Sequence, residues 1–102
     1  MSRREQLETM LADSPDDVFL RYALAMEWEN EEEHEQSLEL HRGLMNQSPP
    51  YVPSFFMSGQ QLADLDRIDE AKQALEEGIV HAERQGDMHA VAEMRSFLDS
   101  LD

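Results

Sequence analysis

The chain has 102 residues, with 23 acidic side chains against 8 basic ones, a formal net charge of −15 and no cysteine. That length suits a single domain with one modest core. The charge repels phosphate backbones and anionic lipid, so neither nucleic acid nor a membrane surface is an expected partner, and without cysteine there is neither a disulfide framework nor a thiolate metal site.

Four Gly, four Pro and an abundance of Ala, Leu, Met, Glu and Gln predict an all-α chain. The opening stretch, MSRREQLETMLADSP, has a basic pair but no apolar core of a signal peptide. No segment approaches the run of about 18 apolar residues that a membrane span needs. A cytoplasmic protein is expected. The first helix is predicted over about 2–12. A second, over about 16–29, is expected to start at Ser14 as N-cap, with Pro15 at its first position and Asp16 and Asp17 in its first turn. On it Phe19, Tyr22, Ala23, Met26 and Glu29 share one face, and Leu20, Leu24 and Trp28 form a neighbouring stripe, so the helix has two apolar faces.

A third helix, about 33–47, is halted by Pro49 and Pro50, because proline lacks the amide donor and clashes one turn back. Pro53 is tolerable in the first turn of a fourth helix, about 52–64. The fifth, about 68–84, repeats the helical apolar pattern with Ile68, Ala71, Leu75, Gly78, Ile79 and Ala82. Gly86 and Asp87 punctuate the chain before a sixth helix, about 87–101, patterned by Met88, Val91, Met94, Leu98 and Leu101.

The chain repeats itself. Pro15 and Pro49 lie 34 residues apart, and the same shift places Ala25 on Gly59, Trp28 on Leu62, Ser37 on Ala71 and Met45 on Ile79. The reverse shift sets Arg3, Leu7, Met10 and Leu11 on Ser37, His41, Leu44 and Met45, so half a repeat precedes the first whole one.

With this period the chain resembles the tetratricopeptide repeats. Their unit favours small residues at the eighth, twentieth and twenty-seventh positions, large or aromatic ones at the fourth, eleventh and twenty-fourth, and Pro near its end. Residues 18–51 offer Arg21, Leu24, Ala25, Trp28, Ser37, His41, Leu44 and Pro49; residues 52–85 offer Phe55, Ser58, Gly59, Leu62, Ala71, Leu75, Gly78 and Glu83. RIDEA at 67–71 is similar to the start of the family's second helix, and the QGD at 85–87 resembles short free-standing bacterial members. Arg21, His41 and Leu44 depart from the pattern, and Glu32 stands where a hairpin turn often has Gly, which predicts an irregular turn there. The resemblance implies one domain, a solenoid of about six antiparallel helices in a right-handed superhelix. Its parts are a half-repeat helix (1–14), two repeats (18–51 and 52–85) and a capping helix (86–102).

Catalytic and metal chemistry find little support. His34 and His41 are two turns apart on one helix, about 10 Å along the axis, too far to share an ion. One ExxH, Glu31 with His34, falls short of the paired motifs of a di-iron bundle. The acidic DLDRIDE at 64–70 lacks the central Gly of a calcium loop and has Leu75 where its last carboxylate belongs. No nucleophile has a base at a recognisable spacing and no glycine-rich loop cradles phosphate. No enzyme activity, metal or cofactor is expected. His34 and His41 are expected to pack as structural imidazoles, with a pH switch as the sharper reading; His81 and His89 are expected to face solvent.

The resemblance implies non-enzymatic binding of a protein or peptide in a concave groove lined by the first helices of successive hairpins. By position that face is Phe19, Tyr22, Met26 and Glu29, then Phe56, Gln60 and Asp64, then Met94 and Phe97. Tyr22, Met26, Phe56 and Gln60 stand where one family specialisation clamps chaperone C-termini with Lys and Asn, so that clamp is not expected. An apolar or basic segment suits this strip of aromatics and Met edged by carboxylates better. Self-association into a homodimer or oligomer through exposed apolar helix faces is the alternative.

Overall fold

A computed structural model describes residues 1–102 as six helices without a strand: α1 (Arg3–Asp13), α2 (Val18–Asn30), α3 (His34–Asn46), α4 (Val52–Asp64), α5 (Ile68–Gln85) and α6 (Met88–Ser100). All six fall close to the ranges expected from periodicity. The chain divides into two units, Met1–Ser48 and Pro49–Asp102.

In the first unit, α2 packs against α1 on one side and α3 on the other. Its core gathers Leu7, Leu20 and Leu24, with Leu11, Ala23, Trp28 and Leu40 packed against them. The helix starts are local chemistry. Ser2 caps α1 with a full capping box, its Oγ accepting from the Glu5 amide at 3.1 Å while its own amide donates to Glu5 Oε1 at 3.0 Å. The start of α2 differs from expectation. Asp17, not Ser14, is the N-cap, and its carboxylate accepts from the Leu20 amide at 2.9 Å. Ser14 is already engaged as the C-cap of α1, its amide donating to Met10 and Leu11 carbonyls. Pro15 and Asp16 therefore form the turn, and Asp16 lies outside the helix.

Arg4 ties α1 down. Its guanidinium lies 4.6 Å from the Trp28 ring centroid and reaches Glu31 at 3.0 Å and Glu8 at 2.5 Å; the hydrogen bond to Glu31 is the main reason its pKa is raised.

The α2–α3 hairpin closes through a small-residue contact, with Ser37 Oγ donating to the Ala25 carbonyl at 2.6 Å and both residues fully buried. The turn at Glu32 is regular, contrary to expectation. Glu32 takes φ 61°, as does Asp66 one period later. The bonds match too: Glu33 donates to the Trp28 carbonyl at 2.9 Å, and Arg67 to that of Leu62 at 2.8 Å. This is the Schellman closure, and it takes the left-handed residue as Glu or Asp at a strain cost that Gly would avoid.

In the second unit α5 packs on both α4 and α6. Val52, Phe55, Leu62, Leu75, Ile79, Val91 and Met94 are buried; each such side chain contributes about 1.5–3 kcal/mol by leaving water. Two glycines permit the close approach. A Cβ on Gly59 would stand 2.7 Å from Leu75, and one on Gly78 would stand 2.5 Å from Phe55 Cβ and 2.6 Å from Met94 Sδ. Pro53 sits in the first turn of α4, and α5 ends at Gly86 in the left-handed region at φ 75°. Asp87 then caps α6, accepting from the Ala90 amide at 3.1 Å.

Candidate protein-binding faces

In the first unit the expected residues lie along α2. Phe19 is 71% exposed, while Tyr22, Met26 and Glu29 are half-buried. Tyr22 is held by a buried neighbour: its ring meets that of His41 edge-on, with centroids 5.6 Å apart at 68°. His41 is completely buried, and loss of hydration pushes its pKa down to about 4. Glu29 is not a free carboxylate at the edge of the strip. Its Oε1 lies 2.5 Å from Nδ1 of His34, so His34 and His41 have different settings, one paired at the surface and one in the core. Arg21, a departure from the repeat pattern, folds over Gly43 and donates to Gln47 Oε1 at 2.8 Å.

In the second unit Phe56 on α4 meets Phe97 on α6 edge-on, centroids 6.0 Å apart at 71°. Gln60, half-buried, and Asp64, exposed, continue the Phe56 face at helical spacing. Met94 does not belong to this face. It is fully buried, because the missing side chain of Gly78 lets α6 approach until the thioether fills the space beside Phe55. His81, expected in solvent, is half-buried and stacks on Phe55 at 5.3 Å. Met88, expected as part of the apolar pattern of α6, is 59% exposed.

Beside the phenylalanine pair lies a solvent-open cavity of about 440 Å³ lined by Phe56, Phe97, Ala92, Ser96, Glu93 and His89. Ala92, Ser96, Glu93 and His89 were not expected on a binding face, though His89, Glu93, Ser96 and Phe97 recur at the spacing of one helix face. Nε2 of His89 lies 3.2 Å from Glu93 Oε1. No group of three or more His, Asp or Glu residues is placed to hold a metal ion, and no helix is long and apolar enough to cross a membrane.

No family model matches the chain. A curated relative does: TPR repeat-containing protein PA0015 of Pseudomonas aeruginosa is 32% identical over 98 residues, spanning 96% of this chain and 93% of that protein. The chain belongs to the tetratricopeptide repeat family. Solved structures agree. The solution structure of protein BPP2914 from Bordetella parapertussis matches with a TM-score of 0.83 at 30% identity, over 99% of this chain and 88% of that one. A tetratricopeptide repeat domain protein from Salinibacter ruber matches with a TM-score of 0.81 at 30% identity, over 86% of this chain and 89% of that one. The tetratricopeptide fold generally serves protein–protein interaction and is generally non-enzymatic. In this member its signature lies in the 34-residue recurrence of turn, small-residue contact and helix pair, even where Arg21 and His41 replace the usual residues.

Proposed function

We propose that this tetratricopeptide protein is a cytoplasmic, non-enzymatic interaction module that binds a segment of another protein along the first helices of its hairpins. The observation that carries this reading is the edge-on Phe56–Phe97 pair bordering an open cavity. Aromatic surface left accessible in this way supplies binding energy once a partner covers it. Phe19, Tyr22 and Met26 on α2, with Gln60 and Asp64 on α4, extend the face in each unit. A single domain of a half-repeat, two repeats and a capping helix is part of the same reading. The net charge of −15 favours a basic partner over nucleic acid or anionic membrane.

The test is recovery of partners from native lysate by the wild type and by a Phe19→Ala, Phe56→Ala variant, with circular dichroism establishing that the variant stays helical. Loss of a distinct protein from the folded variant supports the module. The second reading, a homodimer, draws on exposed Met10, Phe19, Val80 and Met88. Sedimentation velocity separates the two, since a concentration-dependent dimer abolished by the variant supports self-association.

A further inference from the structure

We propose that the cavity between α4 and α6 is a subsite for an arginine side chain of the partner, seated against Phe56 and Phe97 with its guanidinium on the Glu93 carboxylate. This rests on the interaction-module reading and adds the chemistry of what is bound. Three features converge. Two half-buried aromatic rings at 71° to one another border the cavity, and a guanidinium stacks on an aromatic ring better than an ammonium does. Glu93 stands on the same wall, and a carboxylate beside aromatic rings is the complement of a planar cation with paired donors. No Lys or Arg lines the cavity, so the protein does not fill this seat with a cation of its own.

The wider field agrees. Residues 49–102 carry 11 acidic side chains and 4 basic ones, a net charge of −7. Arg67 is engaged with Glu70 at 2.7 Å, and Lys72 with Asp102 at 2.8 Å. The contact that Glu93 does have, from His89 on the next turn, is built on a side chain that is 85% exposed. It is one that an incoming guanidinium displaces at little cost. The cavity, about 440 Å³ and open to solvent, also leaves room for an apolar neighbour of the arginine beside Ala92. An anionic or purely aliphatic segment would leave Glu93 repelled or unused.

The test is an NMR titration of the isotope-labelled full chain with an acetylated, amidated hexapeptide of alternating arginine and leucine. Two controls replace each arginine by citrulline, its neutral isostere, or by glutamate. The expected result is amide shifts centred on Phe56, Ala92, Glu93 and Phe97, with affinity about tenfold weaker for the citrulline peptide. Glu93→Gln should weaken the arginine peptide about fivefold or more, whereas Glu76→Gln, the same charge change on the exposed surface of α5, should leave it unchanged. Equal weakening by both variants would mean diffuse electrostatics and overturn the subsite. Equal binding of the citrulline peptide at these amides would also overturn it while leaving protein binding at the cavity intact. Absence of shifts there with every peptide overturns the subsite as well, and the parent reading then stands or falls on the lysate experiment.

Discussion

Burial of His41 makes the first unit sensitive to acid. The imidazole is completely buried against Tyr22 and its pKa is pushed down to about 4 by desolvation, against 6.5 in an unfolded chain. The folded value is depressed, so the unfolded state binds the proton more tightly. The stability tied to the neutral form is present above pH 6.5 and is lost as the pH falls towards about 4. Linkage puts the loss at about 2 kcal/mol between pH 7 and pH 5, and about 3 kcal/mol by pH 4. Protonation of carboxylates on a chain of net charge −15 relieves self-repulsion and pulls the other way, so the informative quantity is a difference. Urea unfolding should be followed by fluorescence of Trp28, the sole tryptophan and a first-unit residue, for wild type and for His41→Phe, which keeps a ring at the site; His41→Leu serves if Phe overpacks. The wild type should lose about 2 kcal/mol more than the variant over that interval. Parallel pH profiles would refute the reasoning, showing that the imidazole charges in place or that the unit opens without protonating it.

Three further outcomes follow from packing and backbone geometry. Gly78→Ala should destabilise the second unit by about 1–3 kcal/mol, because the added methyl meets Phe55 and Met94; thermal unfolding by circular dichroism checks it, and an unchanged midpoint would mean that α6 moves away freely. Glu32→Gly should raise stability by about 0.5–1 kcal/mol by relieving the left-handed strain, with less gain at Asp66, whose short polar side chain tolerates that region; chemical denaturation of both variants measures this. Asp17→Ala should cost about 1 kcal/mol through loss of the α2 cap, while Ser14→Ala should cost less, and equal losses would contradict the observed capping.

How much was legible depended on whether the responsible interaction is local. Helix positions, the proline breaks and the Gly86–Asp87 boundary are set within a few residues, by amide loss, capping and apolar spacing, and they could be read directly. Ser14 and Asp17 were both competent caps, and the choice between them rested on whether Ser14 was needed to end α1. The binding-face residues were harder to sort. Phe97 and Met94 lie three apart on one helix and are alike in hydrophobicity, yet one lines a cavity and the other is core. His89 was expected to face solvent, and nothing local to Glu93 or Ser96 connects them with Phe56, which α4 brings opposite them.

The amino-acid sequence alone determined the all-α class, the 34-residue repeat and the small residues that mark where helices approach, because each arises from periodicity or from one residue's own stereochemistry. Only the tertiary structure decided which face of each two-faced helix is buried, that Glu32 and Asp66 adopt the same turn, that His41 is sealed from water, and that Glu93 shares a cavity with two phenylalanines. The burial outcomes depend on how closely neighbouring helices pack, a distance that Ala25 and Ser37 permit in the first unit and Gly59 and Gly78 in the second, but that only the assembled side chains fix.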